Sequence, residues 1–192
     1  MIPPEEAARA NFYGLLARLF YAPPDAALLQ SIATAAEFEA EDRSLALAWR
    51  DLALAAAAAD PEAVRDEYDT VFVGTGKAPV TLYTCAYTLR FSNDVPLVVL
   101  RGDLAALGLA RRQDAGEPED HIAALCDTMR HLVAEQQSDL AGQKRFFDRW
   151  IGPIIEPLCD AINNNESTVF YKRVARLAKS FLLVEQSSFE ML

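Results

Sequence analysis

Apolar positions recur three and four residues apart along most of the chain, the pattern of helices that each bury one face. Ala8, Phe12, Leu15, Leu16, Leu19 and Phe20 form a stripe that stops before Pro23-Pro24. Leu28, Leu29, Ile32 and Ala36 begin a second, and Leu45, Ala48, Trp49, Leu52 and Ala56 a third. Asp60-Pro61 supplies a cap and a first-turn proline for a fourth helix, with Val64, Tyr68, Val71 and Phe72 inward. The pattern breaks from Gly74 to Phe91, where Gly74, Gly76 and Pro79 punctuate a stretch of β-branched and aromatic residues. With no second strand to pair with, that stretch is expected to be an ordered surface loop.

Helical spacing resumes near Asp94, with Leu97, Leu100, Leu104 and Leu107 inward and Gly108 near the end. A polar connection over 109–117 leads to a helix whose stripe is Ile122, Leu125, Cys126, Met129, Leu132 and Val133. Phe146, Phe147, Trp150, Ile154 and Leu158 mark the next, with a kink expected at Gly152-Pro153. Asn163 to Ser167 separates it from a final helix carrying Val169, Phe170, Val174, Leu177, Phe181 and Leu182. The expected fold is all-α, a single helical domain over 1–192 with roughly seven to nine helices.

Composition narrows the function. With 52% hydrophobic residues in 192, the chain can bury one substantial core. The longest apolar run, Leu52 to Ala59, is far too short to cross a bilayer, so no membrane insertion is expected. The start Met-Ile-Pro-Pro-Glu-Glu lacks the basic and apolar segments of a secretory leader. Cys85, Cys126 and Cys159 are widely spaced and odd in number, which suggests neither a disulfide framework nor a metal knuckle. A cytoplasmic protein is expected. The net charge of −10, from 28 acidic and 18 basic residues, argues against nucleic-acid binding and suits a basic partner.

One segment is too polar for the helix it is expected to open: Glu117-Pro118-Glu119-Asp120-His121. Pro118 suits a first helical turn, and acids there favour the helix dipole, which accounts for Glu117 and Glu119. Asp120 is expected opposite the apolar stripe, where core packing does not explain it, and His121 at the flank of the stripe. With Asp114, the segment places four carboxylates within seven residues. An acid and a neutral imidazole beside an apolar wall suit the grip of a charged or peptidic partner.

Enzymatic signals are weak. Gly74-Thr75-Gly76-Lys77 resembles the end of a phosphate-binding loop, but Val71 replaces its first glycine and Ala78 its magnesium-binding hydroxyl. His121 and His131 do not share a helix face, so no zinc site of the HExxH type arises, and no nucleophile elbow occurs. Neighbouring side chains on a helix diverge, so Asp120 and His121 do not make an acid–base dyad. Neither a catalytic residue nor a cofactor or metal of the chain's own is expected.

Three segments carry a family resemblance: Glu67-Tyr68-Asp69-Thr70-Val71-Phe72-Val73-Gly74, Tyr83-Thr84-Cys85-Ala86-Tyr87 and Glu117-Pro118-Glu119-Asp120-His121. Through them the chain resembles the TorD/DmsD/NarJ family of cytoplasmic molybdoenzyme chaperones. The third matches that family's Glu-Pro-x-Asp-His signature in full, whereas Leu82 and Cys85 depart from the proline and serine usual in the second. The resemblance implies a chaperone, not an enzyme. Its partners would be the twin-arginine leader peptide and the apo catalytic subunit of a molybdoenzyme, and the molybdenum cofactor would belong to that client. It implies peptide-binding roles for Tyr68, Phe72, Tyr83, Tyr87, Gly102, Glu117, Pro118, Asp120 and His121. For Tyr68 plain core packing is an equal reading, and for Gly102 close helix packing is the favoured one. The chain would act as a monomer or homodimer. A general helical scaffold without leader specificity, or a small helical enzyme using His121, are the alternatives.

Overall fold

The computed structural model describes residues 3–35, 43–88, 96–112, 116–134 and 140–192. Ala36, Phe91, Asp94 and Asp114, to which the expectations above extend, lie outside the described residues. Among the described residues there are nine helices of eight residues or more and no strand, an all-α fold. In chain order they are α1 (Pro4–Tyr21), α2 (Ala26–Thr34), α3 (Arg43–Ala58), α4 (Pro61–Tyr68), the single turn α5 (Cys85–Thr88), α6 (Pro96–Ala106), α7 (Ile122–Ala134), α8 (Leu140–Trp150), α9 (Ile155–Asn163) and α10 (Phe170–Glu190).

The chain divides into two compact units. One comprises Met1–Phe20 and Leu82–Ile154, the other Tyr21–Thr81 and Ile155–Leu192. The kinked helix expected over 146–158 is instead two helices, α8 and α9, separated by a short 3₁₀ turn, Gly152–Ile154. Pro153 has no amide to donate, so the α-helical ladder is broken there.

The first unit holds α1 up to Phe20 and α5 to α8. Leu100, Leu125, Cys126, Met129 and Phe147 are buried in it. α7 packs on α8, and the buried Gln143 of α8 donates to the Leu132 carbonyl of α7 at 3.4 Å. Asp103 of α6 accepts the Trp150 indole N–H at 2.8 Å, which ties α6 to the end of α8. α6 ends in a glycine cap: Gly108 takes φ +73°, and the next amide, of Leu109, returns to the Leu104 carbonyl at 2.8 Å.

In the second unit α10 packs on α3 and α9, and α2 packs on α3. Asp60 caps α4 in front of Pro61, as the sequence leads one to expect, and Asp25 caps α2 as well, with Oδ1 2.7 Å from the Leu28 amide. α4 does not stop at Tyr68. It widens into a π turn over Asp69–Val73, closed by the Gly74 amide on the Asp69 carbonyl at 2.7 Å. Gly74 takes φ +64°, and a Cβ there would lie 2.8 Å from the Lys77 carbonyl oxygen, so only glycine fits.

Candidate functional site

The polar segment before α7 does not begin that helix. α7 starts at Ile122, four residues beyond Pro118, and residues 116–121 run as a bend and a turn, with the His121 amide on the Pro118 carbonyl at 3.2 Å. Glu117 and Glu119 are therefore not first-turn acids of a helix, contrary to expectation. The segment pairs with the second motif instead. The Ile122 amide donates to the Leu82 carbonyl at 2.9 Å and the Thr84 amide to the Asp120 carbonyl at 2.9 Å, setting Tyr83 opposite His121 in an antiparallel bridge. The local strand character of the loop thus has a partner, too short to count as a strand.

Asp120 also departs from expectation. It does not face away from the apolar side but is buried, with 6% of its surface exposed. Its Oδ2 accepts the Cys85 amide at 3.4 Å, at the start of α5. Burial, with Asp120 adding to it, pushes the Cys85 thiol up to about 12, so the cysteine stays protonated and unreactive.

His121 is 5% exposed and acts as the N-cap of α7, its Nδ1 accepting the Ala123 amide at 3.2 Å. Its ring meets that of Tyr83 edge-on, centroids 5.4 Å apart. Burial drives its pKa below the ordinary 6.5 against the pull of Glu117 and Asp120. Desolvation is the leading cause of its neutral state. Because the folded pKa is the lower one, the unfolded chain binds the proton more tightly. The stabilisation is complete above pH 6.5 and is lost as pH falls through that value towards the folded pKa. His121→Asn keeps a capping acceptor and removes the titration. We expect it to flatten the decline of the urea midpoint between about pH 7 and 5; an unchanged slope would refute the assignment.

The exposed tip of the segment is built from Glu117 and Tyr83. The Tyr83 hydroxyl donates to Glu117 Oε2 at 2.6 Å, a bond that, with burial, pushes the phenol up to about 12. The Tyr83 residue remains 38% exposed. Glu119 holds Arg101 of α6 in a fork, Nε to Oε1 at 2.9 Å and NH2 to Oε2 at 3.2 Å, which lowers the Glu119 carboxyl below its ordinary range. Arg111 Nε donates to the Glu117 carbonyl at 3.0 Å.

Gly102 follows Arg101 on α6. A Cβ there would meet nothing within 4 Å, so close helix packing does not explain this glycine. Inside a helix it sacrifices about 0.5–1 kcal/mol relative to alanine and leaves a bare patch of backbone. Tyr87 lies half-buried on α5, its amide on the Thr84 carbonyl at 3.0 Å.

The first unit therefore brings together Tyr83, Glu117, Pro118, Asp120 and His121, with Gly102 beside the arginine that Glu119 holds. Tyr68 and Phe72 belong to the second unit. Both are buried there against Tyr171, with centroids 5.6 and 4.9 Å from its ring, and the Tyr68 hydroxyl donates to the Tyr21 carbonyl at 3.0 Å. The first motif is thus a core and turn device.

Two residues carry more than the sequence reading assigned. Glu67 reaches the start of α10, where its carboxylate accepts the amides of Val169, Phe170 and Tyr171 at 2.8, 2.9 and 2.8 Å. Arg101 has no signal in the sequence, because its partner Glu119 is 18 residues away.

No helix among the described residues is long and apolar enough to cross a membrane. A comparison with curated proteins returns no match. A family model described as nitrate reductase delta subunit matches residues 38–160, well over half of the chain and inclusive of all three motifs. That family comprises maturation chaperones of molybdoenzymes, whose partner is the catalytic subunit. The chain belongs to the nitrate reductase delta subunit family, the NarJ/TorD-like chaperones.

Proposed function

We propose that the chain is a cytoplasmic, non-enzymatic chaperone that binds the twin-arginine leader peptide of a molybdopterin-containing oxidoreductase subunit. It delays export and keeps the apoenzyme competent until the cofactor is inserted. The observation that carries this reading is the Arg101–Glu119 fork beside the exposed Glu117–Tyr83 pair. In this acidic segment one carboxylate, Glu119, already holds a planar guanidinium in a fork, which supports the same kind of recognition of an incoming arginine by its neighbour Glu117.

In this reading Glu117 meets an arginine of the leader, and Tyr83 and Tyr87 offer aromatic faces to the apolar segment that follows. Pro118 shapes the turn, and Gly102 leaves α6 bare for close approach. Asp120 and His121 act as positioning residues, because Asp120 Oδ2 and His121 Nδ1 accept the backbone amides of Cys85 and Ala123. That use of His121 counts against the enzymatic alternative. Exposed ion pairs contribute about 0.2–1 kcal/mol each, so apolar burial supplies most of the affinity and charge sets the register.

Calorimetric titration with synthetic leader peptides of molybdoenzyme subunits tests the proposal. Saturable binding of one leader is expected, weakened by salt and, up to about fivefold, by Glu117→Gln. Asp120→Asn, which keeps the acceptor, is expected to bind within about twofold of the wild type, and Asp120→Ala at least about tenfold more weakly. Failure of every leader to bind the folded protein would sink the reading in favour of a scaffold without leader specificity.

A further inference from the structure

The second unit carries a cleft whose charge is opposite to that of the chain. The cleft has a volume of about 460 Å³ and runs along α10, with Asp51 of α3 on one side and Asn163 of α9 on the other. Lys172, Arg173, Arg176 and Lys179 contribute four cations to its lining, against the carboxylate of Asp51 in the lining and those of Glu156 and Asp160 beside Lys179. This occurs in a chain with 28 acidic and 18 basic residues. Lys172, Arg176 and Lys179 are four and three residues apart, so they share one face and span about 10 Å of the helix.

The cations already show what they accept. Arg176 donates to Asp51 Oδ2 at 2.5 Å, and the Lys179 ammonium stands 3.7 Å from Glu156 and 3.6 Å from Asp160. Carboxylates on helices are their partners within the fold. Apolar surface borders the same line. Leu183, seven residues beyond Arg176, lines the cleft and is exposed. Leu47 and Leu54, four before and three after Asp51, share its face of α3 and are 43% and 64% exposed. Single exposed leucines are ordinary. Here three stand near one cationic line, one in the cleft itself and two on the face of α3 that carries Asp51.

We propose that this cleft is a docking surface for an acidic amphipathic helix of a protein partner. Glutamates or aspartates three and four residues apart on that helix match the pitch of Lys172, Arg176 and Lys179, and its apolar side chains cover the leucines. A phosphate-bearing small molecule would need cations that converge on one point, whereas these are strung along a helix. The inference is independent of the leader-peptide reading and invokes none of the residues of the first unit.

The probe is a fluorescein-labelled helical peptide of about eighteen residues, with glutamates three and four apart and leucines on the adjoining face. Its binding to the intact chain is followed by fluorescence anisotropy at low and high salt. We expect saturable binding that weakens with salt and falls at least about tenfold when glutamine replaces glutamate. Lys172→Glu with Lys179→Glu is expected to cause a similar loss. Because Lys179 also neighbours Glu156 and Asp160, Lys172→Glu alone serves as a second test, with a smaller loss and an unaltered melting curve. Arginine at both positions should retain binding. Equal affinity for the glutamate and glutamine peptides, or indifference to charge reversal, overturns the proposal. So does displacement of the peptide by inorganic pyrophosphate at equimolar concentration, which would mark a phosphate site. A dimer in sedimentation that charge reversal abolishes would make a second copy the occupant and overturn it equally.

Discussion

Replacing Phe72 by alanine is expected to lower the unfolding free energy by about 3–5 kcal/mol while leaving leader binding intact in the fraction that remains folded. Phe72 is only 9% exposed, and its ring stands edge-on to Tyr171 at 4.9 Å and tilted to Tyr68 at 5.2 Å. Truncation removes an aromatic body from between two others, and the cavity left behind collapses only in part. Urea unfolding measures the loss, and calorimetry on the folded protein measures the binding. Should the variant prove too unstable, Phe72→Leu is expected to cost less and to give the same separation. Wild-type stability with abolished leader affinity would reverse the assignment and make Phe72 a wall of the peptide site.

The next largest effect is expected at Glu67. Helix α10 is the longest among the described residues, and its N-cap residue, Val169, has no side chain able to accept the amides at its start. Glu67 supplies that acceptor across more than a hundred residues, with three bonds of 2.8–2.9 Å. Glu67→Ala leaves those amides to water and costs about 2 kcal/mol, near the upper end for an N-cap. Glu67→Gln keeps one acceptor oxygen and should recover part of the loss. Thermal melts give the stability, and hydrogen exchange at Val169, Phe170 and Tyr171 gives the local signature. Unchanged melting together with unchanged protection of those amides would show that the cap contributes nothing.

The two residues also show where the sequence was readable. Tyr68 and Phe72 fall on a helical stripe with Val64 and Val71, and all four are buried, so periodicity alone assigned them inward. The acid in front of them carries no such mark. Its partners begin at Val169, and nothing in the spacing of a sequence reports a contact over that distance.

The signature segment divides in the same way. Its recognition rests on residue identity, since Glu117-Pro118-Glu119-Asp120-His121 stands intact in the sequence and the family match spans it. Its conformation departs from what its residues suggest. Proline and acids in that order resemble a first helical turn, so helix geometry placed Asp120 outward, whereas cross-chain pairing with Leu82 to Thr84 draws Asp120 and His121 inward and delays α7 until Ile122. A local propensity of a few tenths of a kcal/mol per residue yields to hydrogen bonds and burial made with a distant segment.

From spacing and residue identity alone came the helical class, the helices with strong stripes, the cap at Asp60, and the family. Each follows from spacing or identity within a dozen or so neighbouring residues, where helix geometry and capping act. It took the folded arrangement to reveal that Glu67 holds the start of α10, that the second and third motifs pair, that Asp120 and His121 are buried, and that four cations of α10 line one cleft in an acidic chain. These depend on which surfaces meet, and burial and hydrogen bonding are set by neighbours in space rather than by neighbours in the chain.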